Sequence, residues 1–256
     1  MPEAYHLGLS KEAAGGAAHA LLPVDPKHAA DTVKLLDEDH GVVATERGFV
    51  SHLGKLAGAP VLVVSSGIGG PSVSIVAHEL SNLGVHTMVG VGAMGAIQPA
   101  VEPGDLVVAT GAVRLEGSST HYAPIQYPAL ADHQVCARLR RAAEELGYKV
   151  HTGVCASTDT FYPGQERYDQ DGQHVVSALR GSLLEWRQLG VLGYDMEAAT
   201  LLTFAGVTGL RAGVVKAVVV NRARRETVSP EAAAGAEPRA LEVAVAGLRK
   251  LIKKER

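Results

Sequence analysis

Pro60-Val61-Leu62-Val63-Val64-Ser65-Ser66-Gly67-Ile68-Gly69-Gly70-Pro71-Ser72 carries the fold of this chain in miniature. The first six residues are a nearly continuous apolar run rich in β-branched side chains. Continuous runs, unlike alternating ones, mark strands buried on both faces. The glycines that follow let the backbone turn sharply or approach a ligand, and Pro71 suits the first turn of a helix. A helical pattern over Ser72–Leu83 comes next, then a second apolar run, His86-Thr87-Met88-Val89. Strand, glycine turn, helix and strand in that order predict an α/β fold with a sheet covered by helices.

The same alternation extends outward. Asp105-Leu106-Val107-Val108-Ala109 and Gly213-Val214-Val215-Lys216-Ala217-Val218-Val219-Val220 read as further buried strands, and Val135–Leu146, Glu197–Ala205 and Leu241–Lys253 as helices. The 256 residues suit one large core. No linker or repeat divides them, so residues 1–256 read as a single domain. The Ala/Glu/Pro-rich segment Ala223–Pro238 reads as a mobile loop. Hydrophobic residues make up 46%, charged residues 20% and aromatic residues only 4%, so Val, Leu, Ile and Ala must fill the core. A net charge of −3, with like charge clustered only at Arg249–Arg256, gives no support for a nucleic-acid partner. No apolar stretch is long enough to span a membrane, and no signal peptide is evident. Two distant cysteines, Cys136 and Cys155, point to a reduced, cytoplasmic compartment and argue against a metal site.

Three motifs bear on chemistry. Gly90-Val91-Gly92-Ala93-Met94-Gly95 fits the dinucleotide fingerprint. That fingerprint needs a helix opening at its glycines, and Pro99 and Pro103 oppose one; no cofactor is expected. Thr158–Tyr168 is a Pro/Gly loop holding Gln165 and Arg167 two residues apart. An amide and a planar guanidinium together match the acceptor–donor–acceptor edge of uracil, although an exposed polar loop is an equally good account of the loop alone. Tyr194-Asp195-Met196-Glu197-Ala198-Ala199-Thr200 puts two carboxylates around a methionine at the head of a helix. Carboxylates suit a helix N-terminus in any case; alternatively, Glu197 accepts from ribose hydroxyls while Met196 packs on the sugar.

With Tyr5-His6-Leu7-Gly8-Leu9, Gly67–Ser72, Gly95–Pro99, Ser157–Asp169, Gly209–Gly213 and Val220-Asn221-Arg222, these motifs resemble the nucleoside phosphorylase family in its bacterial uridine phosphorylase branch. The resemblance runs from His6 to about Arg222 and weakly into the last helix. It implies a single-domain three-layer α/β/α nucleoside phosphorylase-like fold around a twisted mixed sheet. It also implies a homo-oligomer built from dimers, up to a hexamer, whose sites are completed by a neighbouring subunit. The substrate it implies is a pyrimidine nucleoside split at its N-glycosidic bond. By the same resemblance, Gln165, Arg167 and Arg222 attend the base, Phe161 packs near base and sugar, Met196 and Glu197 contact the ribose, and His6 reaches the 5′ hydroxyl of a neighbour's substrate. Arg47, Arg167 and Glu197 are the implied catalytic set.

The resemblance breaks where the family holds phosphate. A glycine and an arginine of its first Gly-Asp-Pro loop are Val24 and His28 here; a second arginine is Gly90; a threonine touching phosphate and ribose is Ala93; and a glutamate beside the dimer-donated arginine is Gly48. Only Arg47 of that anion site survives. Guanidinium groups are the usual bidentate phosphate ligands, so phosphate becomes a doubtful partner. Water or another acceptor is the leading expectation. A phosphorylase with an anion site rebuilt from Arg47, Lys27 and His28, a silent nucleoside-binding protein, and a substrate bringing its own anionic group are alternatives. Lys216, inside an apolar strand, is expected to snorkel to solvent from a strand end; a new functional amine is the alternative.

Overall fold

A computed structural model describes residues 3–167, 175–223 and 230–255. In chain order the elements are β1 (His19–Pro23), α1 (Pro26–Val33), β2 (Glu38–Glu46), β3 (Phe49–Leu56), β4 (Ala59–Val64), α2 (Gly70–Asn82), β5 (Thr87–Ala96), β6 (Leu106–Leu115), β7 (Ala129–Leu130), α3 (His133–Glu145), β8 (Val150–Thr158), α4 (Ser182–Gln188), β9 (Gly193–Asp195), α5 (Ala198–Thr208), β10 (Arg211–Asn221) and α6 (Pro230–Glu255), with short 3-10 turns at Ser118–His121 and Ser177–Leu179. Each apolar run named above lies in a strand, and the glycine cluster turns β4 into α2. Gly67, at φ +69°, and Gly69, at φ +88°, supply that turn, and Pro71 sits in the first helical turn.

The sheet is mixed and partly closed. β5 pairs in parallel with β1 along its first half and with β10 along its length, and its last two residues pair antiparallel with β9. β9 continues to β8, β8 to β6, and β6 returns to β10, so five strands close a ring. β1, β4, β3 and β2 extend from it as an open wing. α2 and α5 cover one face, over Leu22, Leu62, Met88 and Val107. α1, α3 and α6 cover the other, over Leu21, Val61, Val63 and Val89. The three-layer arrangement follows, because each strand's alternate residues enter one of two cores.

Two expectations about local structure change. The strand expected over His86–Val89 runs on through Gly90–Gly95, so those glycines serve close strand packing and open no helix. A Cβ on Gly92 would lie 2.9 Å from Val24 Cγ2, and one on Gly95 would lie 3.1 Å from an Arg167 guanidinium nitrogen. The loop expected over Ala223–Pro238 is also corrected from residue 230 onward. That part belongs to α6, which continues through Pro238, and buried Ala236 and Ala240 fasten it to the core. Good helix propensity and a buried face outweigh the single backbone bond that proline removes. Residues 224–229 of that expectation lie outside the described residues. Both cysteines are free and buried, and burial pushes their thiols up, so neither is a poised nucleophile. Among the described residues no helix is long and apolar enough to cross a membrane, and no group of metal-ligating side chains assembles.

Gly193 marks the tightest strand contact near the site: a Cβ there would stand 2.5 Å from the Gly95 carbonyl oxygen. Gly193→Ala must part β5 from β9. It is expected to cost about 1–3 kcal/mol by overpacking, seen as a lower urea midpoint with an unchanged slope.

Candidate active site

The carboxyl ends of β5, β8 and β10 converge with the head of α5 around a cavity of about 220 Å³. The loop after β1 supplies Val24, Asp25 and His28; β5 supplies Gly92, Ala93 and Met94; the loop after β8 supplies Phe161 and Gln165; the β9–α5 junction supplies Tyr194 to Glu197; and α6 supplies Glu237. A larger open groove of about 690 Å³ follows α3, but its charged lining, such as Arg140, Arg141, Glu144 and Glu145, is spent on helix-surface ion pairs.

One end of the cavity is a polar clamp. Gln165 is buried, donates its amide to Thr158 Oγ1 at 3.2 Å, and accepts through Oε1 from Arg167 Nη1. The Arg167 guanidinium also lies over the Phe161 ring, 3.9 Å from its centroid. Arg222 donates to the backbone carbonyls of Gln165 and Glu166. The Arg222 amide is itself tied to Ala96 at 2.7 Å. Asn221 next to it fastens the carbonyls of Gln98 and Val101 at 2.9 and 2.6 Å. The loop and the end of β10 thus hold each other in register. Tyr168 and Asp169, the end of the loop motif, lie outside the described residues.

The middle of the cavity is an ion cluster at the head of α5. Lys216 is 2% exposed, and its Nζ lies 2.8 Å from Asp195 Oδ2 and 2.9 Å from Glu197 Oε2. The expectation that it snorkels to solvent is therefore wrong. β10 continues to Asn221, so Lys216 is mid-strand, and its register partner Gly92 leaves room for the ammonium. Asp195 also accepts from Ser157 Oγ and from the Ala198 amide at 3.0 Å, and Glu197 accepts from the Gly69 amide at 2.9 Å. Burial alone would lower the lysine's pKa; the two carboxylates outweigh it and hold the group charged. Asp195 caps the helix through the Ala198 amide, and Glu197 lines the cavity.

The other end carries His28. Its Nδ1 is 2.9 Å from Asp25 Oδ2, and its Nε2 is 3.5 Å from Glu237 Oε2. Asp25 also caps α1 by accepting from the His28 amide at 2.9 Å, which fixes both members of the pair. Val24, His28 and Ala93 line this end together, whereas Gly90 lines a small adjoining void with Val24, Glu197 and Lys216. It lies behind the cavity, where a Cβ would meet Leu201 and Val214 at 3.1 and 3.4 Å. His6 and Arg47 are also absent from the cavity lining of their own chain. They meet each other through Tyr5, whose hydroxyl accepts from Arg47 at 2.8 Å and whose ring packs edge-on against His6. His6 is held by Glu79 of α2 through its Nδ1 at 2.6 Å and its amide at 2.9 Å. Sequence reasoning missed Glu237, hidden in the presumed loop, and Asp195 as a partner for Lys216. The lysine in an apolar strand was the signal for a buried anion.

A family model described as the phosphorylase superfamily matches residues 18–253, and the chain belongs to that superfamily. Within it, the chain is 45% identical to the uridine phosphorylase of Klebsiella aerogenes over 250 residues, 98% of each chain. It is 44% identical to that of Escherichia coli over the same shares. The uridine phosphorylase of Thermococcus kodakarensis is 46% identical over 210 residues, 82% of this chain and 75% of the relative.

Lys216→Met strands two buried carboxylates without their cation. It should lose about 3–5 kcal/mol of stability in chemical denaturation. At the N-terminal segment, burial raises the Glu79 pKa, but the His6 amide, the His6 ring and the Leu7 amide outweigh it and lower it overall. The stabilisation Glu79 gives is then complete above the ordinary carboxylate range and lost as pH falls below it. Hydrogen-exchange protection of the His6 and Leu7 amides, taken relative to the intrinsic rate at each pH, should fall below about pH 4, ahead of the sheet.

Proposed function

We propose that this chain cleaves the N-glycosidic bond of uridine or a closely related pyrimidine nucleoside, with water rather than phosphate as the acceptor. The observation that carries the reading is the polarity of the cavity: a Gln165–Arg167 clamp at one end and His28 between two carboxylates at the other. The clamp has the donors and acceptors to hold a uracil edge, with Arg222 supporting its loop and Phe161 closing over it. Met196 lies against the sugar, and Glu197 accepts from its hydroxyls. As the bond from the anomeric carbon to the base nitrogen breaks, its electron pair passes to the base. Arg167 stabilises the charge that develops there.

At the acceptor end Asp25 and Glu237 present negative charge, and Lys216 is already shared by Asp195 and Glu197. A phosphate dianion would meet no fixed guanidinium on this chain's own lining. A neutral water suits the same space. His28, donating through Nδ1 to Asp25, accepts the water's proton at Nε2 while the oxygen bonds to the anomeric carbon, giving ribose and the free base. His6 and Arg47, which lie apart from their own cavity, would serve the cavity of a second copy in a dimer-based assembly. The relatives' name favours a second reading, phosphorolysis, in which Arg47 from that second copy, with Lys27 and His28, holds the anion.

Incubation with uridine, with and without phosphate, separates these readings by product. Free ribose formed at a rate independent of phosphate is expected; a strict phosphate requirement with ribose 1-phosphate as product overturns the water acceptor. Tight binding without turnover under either condition would leave a silent nucleoside-binding protein. His28→Asn should lower kcat by about 10²- to 10⁴-fold while leaving KM for the nucleoside nearly unchanged.

A further inference from the structure

Lys216 is the chain's most deeply buried ammonium, and stability does not explain its placement. A well-packed apolar residue usually serves a buried strand position as well as an ion pair does, and Lys216 is flanked by buried Val215 and Ala217. What the lysine does is fix a carboxylate. Glu197 has one oxygen on the Gly69 amide at 2.9 Å and the other on Lys216 Nζ at 2.9 Å. A carboxylate offers about four lone-pair directions, so the two that remain are open. The side chain keeps 12% of its surface exposed, and it lines the cavity beside Met196. Asp195, 2.8 Å from the same Nζ, holds the lysine from behind and is itself anchored by Ser157 and the Ala198 amide. Gly92 completes the device: a Cβ there would lie 3.2 Å from Nζ, tighter than ordinary contact.

We infer that Lys216 is a positioning residue that locks Glu197 as an ionised, immobile hydroxyl acceptor and so makes the cavity selective for sugars carrying the hydroxyls that face it. The inference rests on the nucleoside reading of this cavity, with Glu197 at the sugar. A fixed buried acceptor rewards a hydroxyl and penalises its absence, because the analogue lacking it leaves the carboxylate desolvated and unpaired. A hydrogen bond to a charged group is typically worth about 10- to 150-fold in affinity. Without the ammonium, Glu197 can rotate, and the difference between the sugars should shrink.

The test compares uridine with 2′-deoxyuridine and 3′-deoxyuridine, by binding and by kcat/KM, in the wild type, Lys216→Met, Glu197→Gln and the double variant. The wild type should prefer uridine over at least one deoxy analogue by about 10- to 150-fold. Lys216→Met should reduce that preference to about threefold or less, Glu197→Gln should do the same, and the double variant should add nothing further. If Lys216→Met does not fold, Asp195→Asn combined with Lys216→Met relieves the like-charge repulsion and carries the same comparison. A folded Lys216 variant with the full wild-type preference overturns the assignment, as do single-variant losses that simply add. A wild type that binds uridine without preference overturns it too. A wild type that binds none of the three nucleosides removes the nucleoside reading itself, so the two failures are distinguishable.

Discussion

Inside the ring of strands one ammonium group faces two carboxylates, and much of the site follows from how that charge is balanced. Lys216 cannot stay charged in a dry strand without anions, and Asp195 and Glu197 supply them at the head of α5. Neither carboxylate relies on the lysine alone. Asp195 is tied to β8 through Ser157 and to α5 through the Ala198 amide, while Glu197 is tied to the β4–α2 turn through Gly69. One ion cluster thus joins β8, β9, β10, α5 and the glycine turn that opens α2. A shift in any of these elements would strain a buried charge, which is why the head of α5 can be rigid although loops build part of the cavity.

The glycines of β5 are the steric counterpart of that cluster. A strand that pairs with β1, β10 and β9 while standing beside a lysine and an arginine has little space for side chains. Gly92 makes way for Val24 and Lys216, and Gly95 makes way for Arg167 and Arg222. The spacing that imitates a dinucleotide fingerprint therefore has a different cause. It reflects side chains from other elements packed against the strand at two points, with no phosphate-binding helix behind it.

The layered fold was legible because buried strands and amphipathic helices leave periodic marks, and every such mark used here lies in the element expected. The site was legible in pieces. Gln165 and Arg167 are two residues apart, and Met196 and Glu197 are adjacent, so local sequence exposes both pairs. The pairing of Lys216 with Asp195 spans strands that only the tertiary fold brings together, and a lysine at an expected strand end looked able to reach water. Glu237 was hidden for another reason. An Ala/Glu/Pro composition fits a loop and a helix equally well until packing decides, and Pro238 tilted the reading toward the loop. Gly90 shows the converse. The family resemblance placed it at the anion site, but although it shares a face of β5 with Gly92 and Met94 of the cavity, it lies deeper along the strand, against Leu201 and Val214.

Electrostatics then divide the cavity into ends with different tasks. The clamp end concentrates guanidinium charge on a loop whose carbonyls Arg222 holds, suited to a leaving group that gains negative charge. The opposite end holds one imidazole between Asp25 and Glu237, with Val24 and Ala93 adding no donors. Both carboxylates raise the cost of bringing in a second anion, but Asp25 and Glu237 keep 47% and 34% of their side-chain surface exposed, so solvent screens that cost. Val24 and Ala93 bring no donor to that end, so the charge there is set by His28, Asp25 and Glu237.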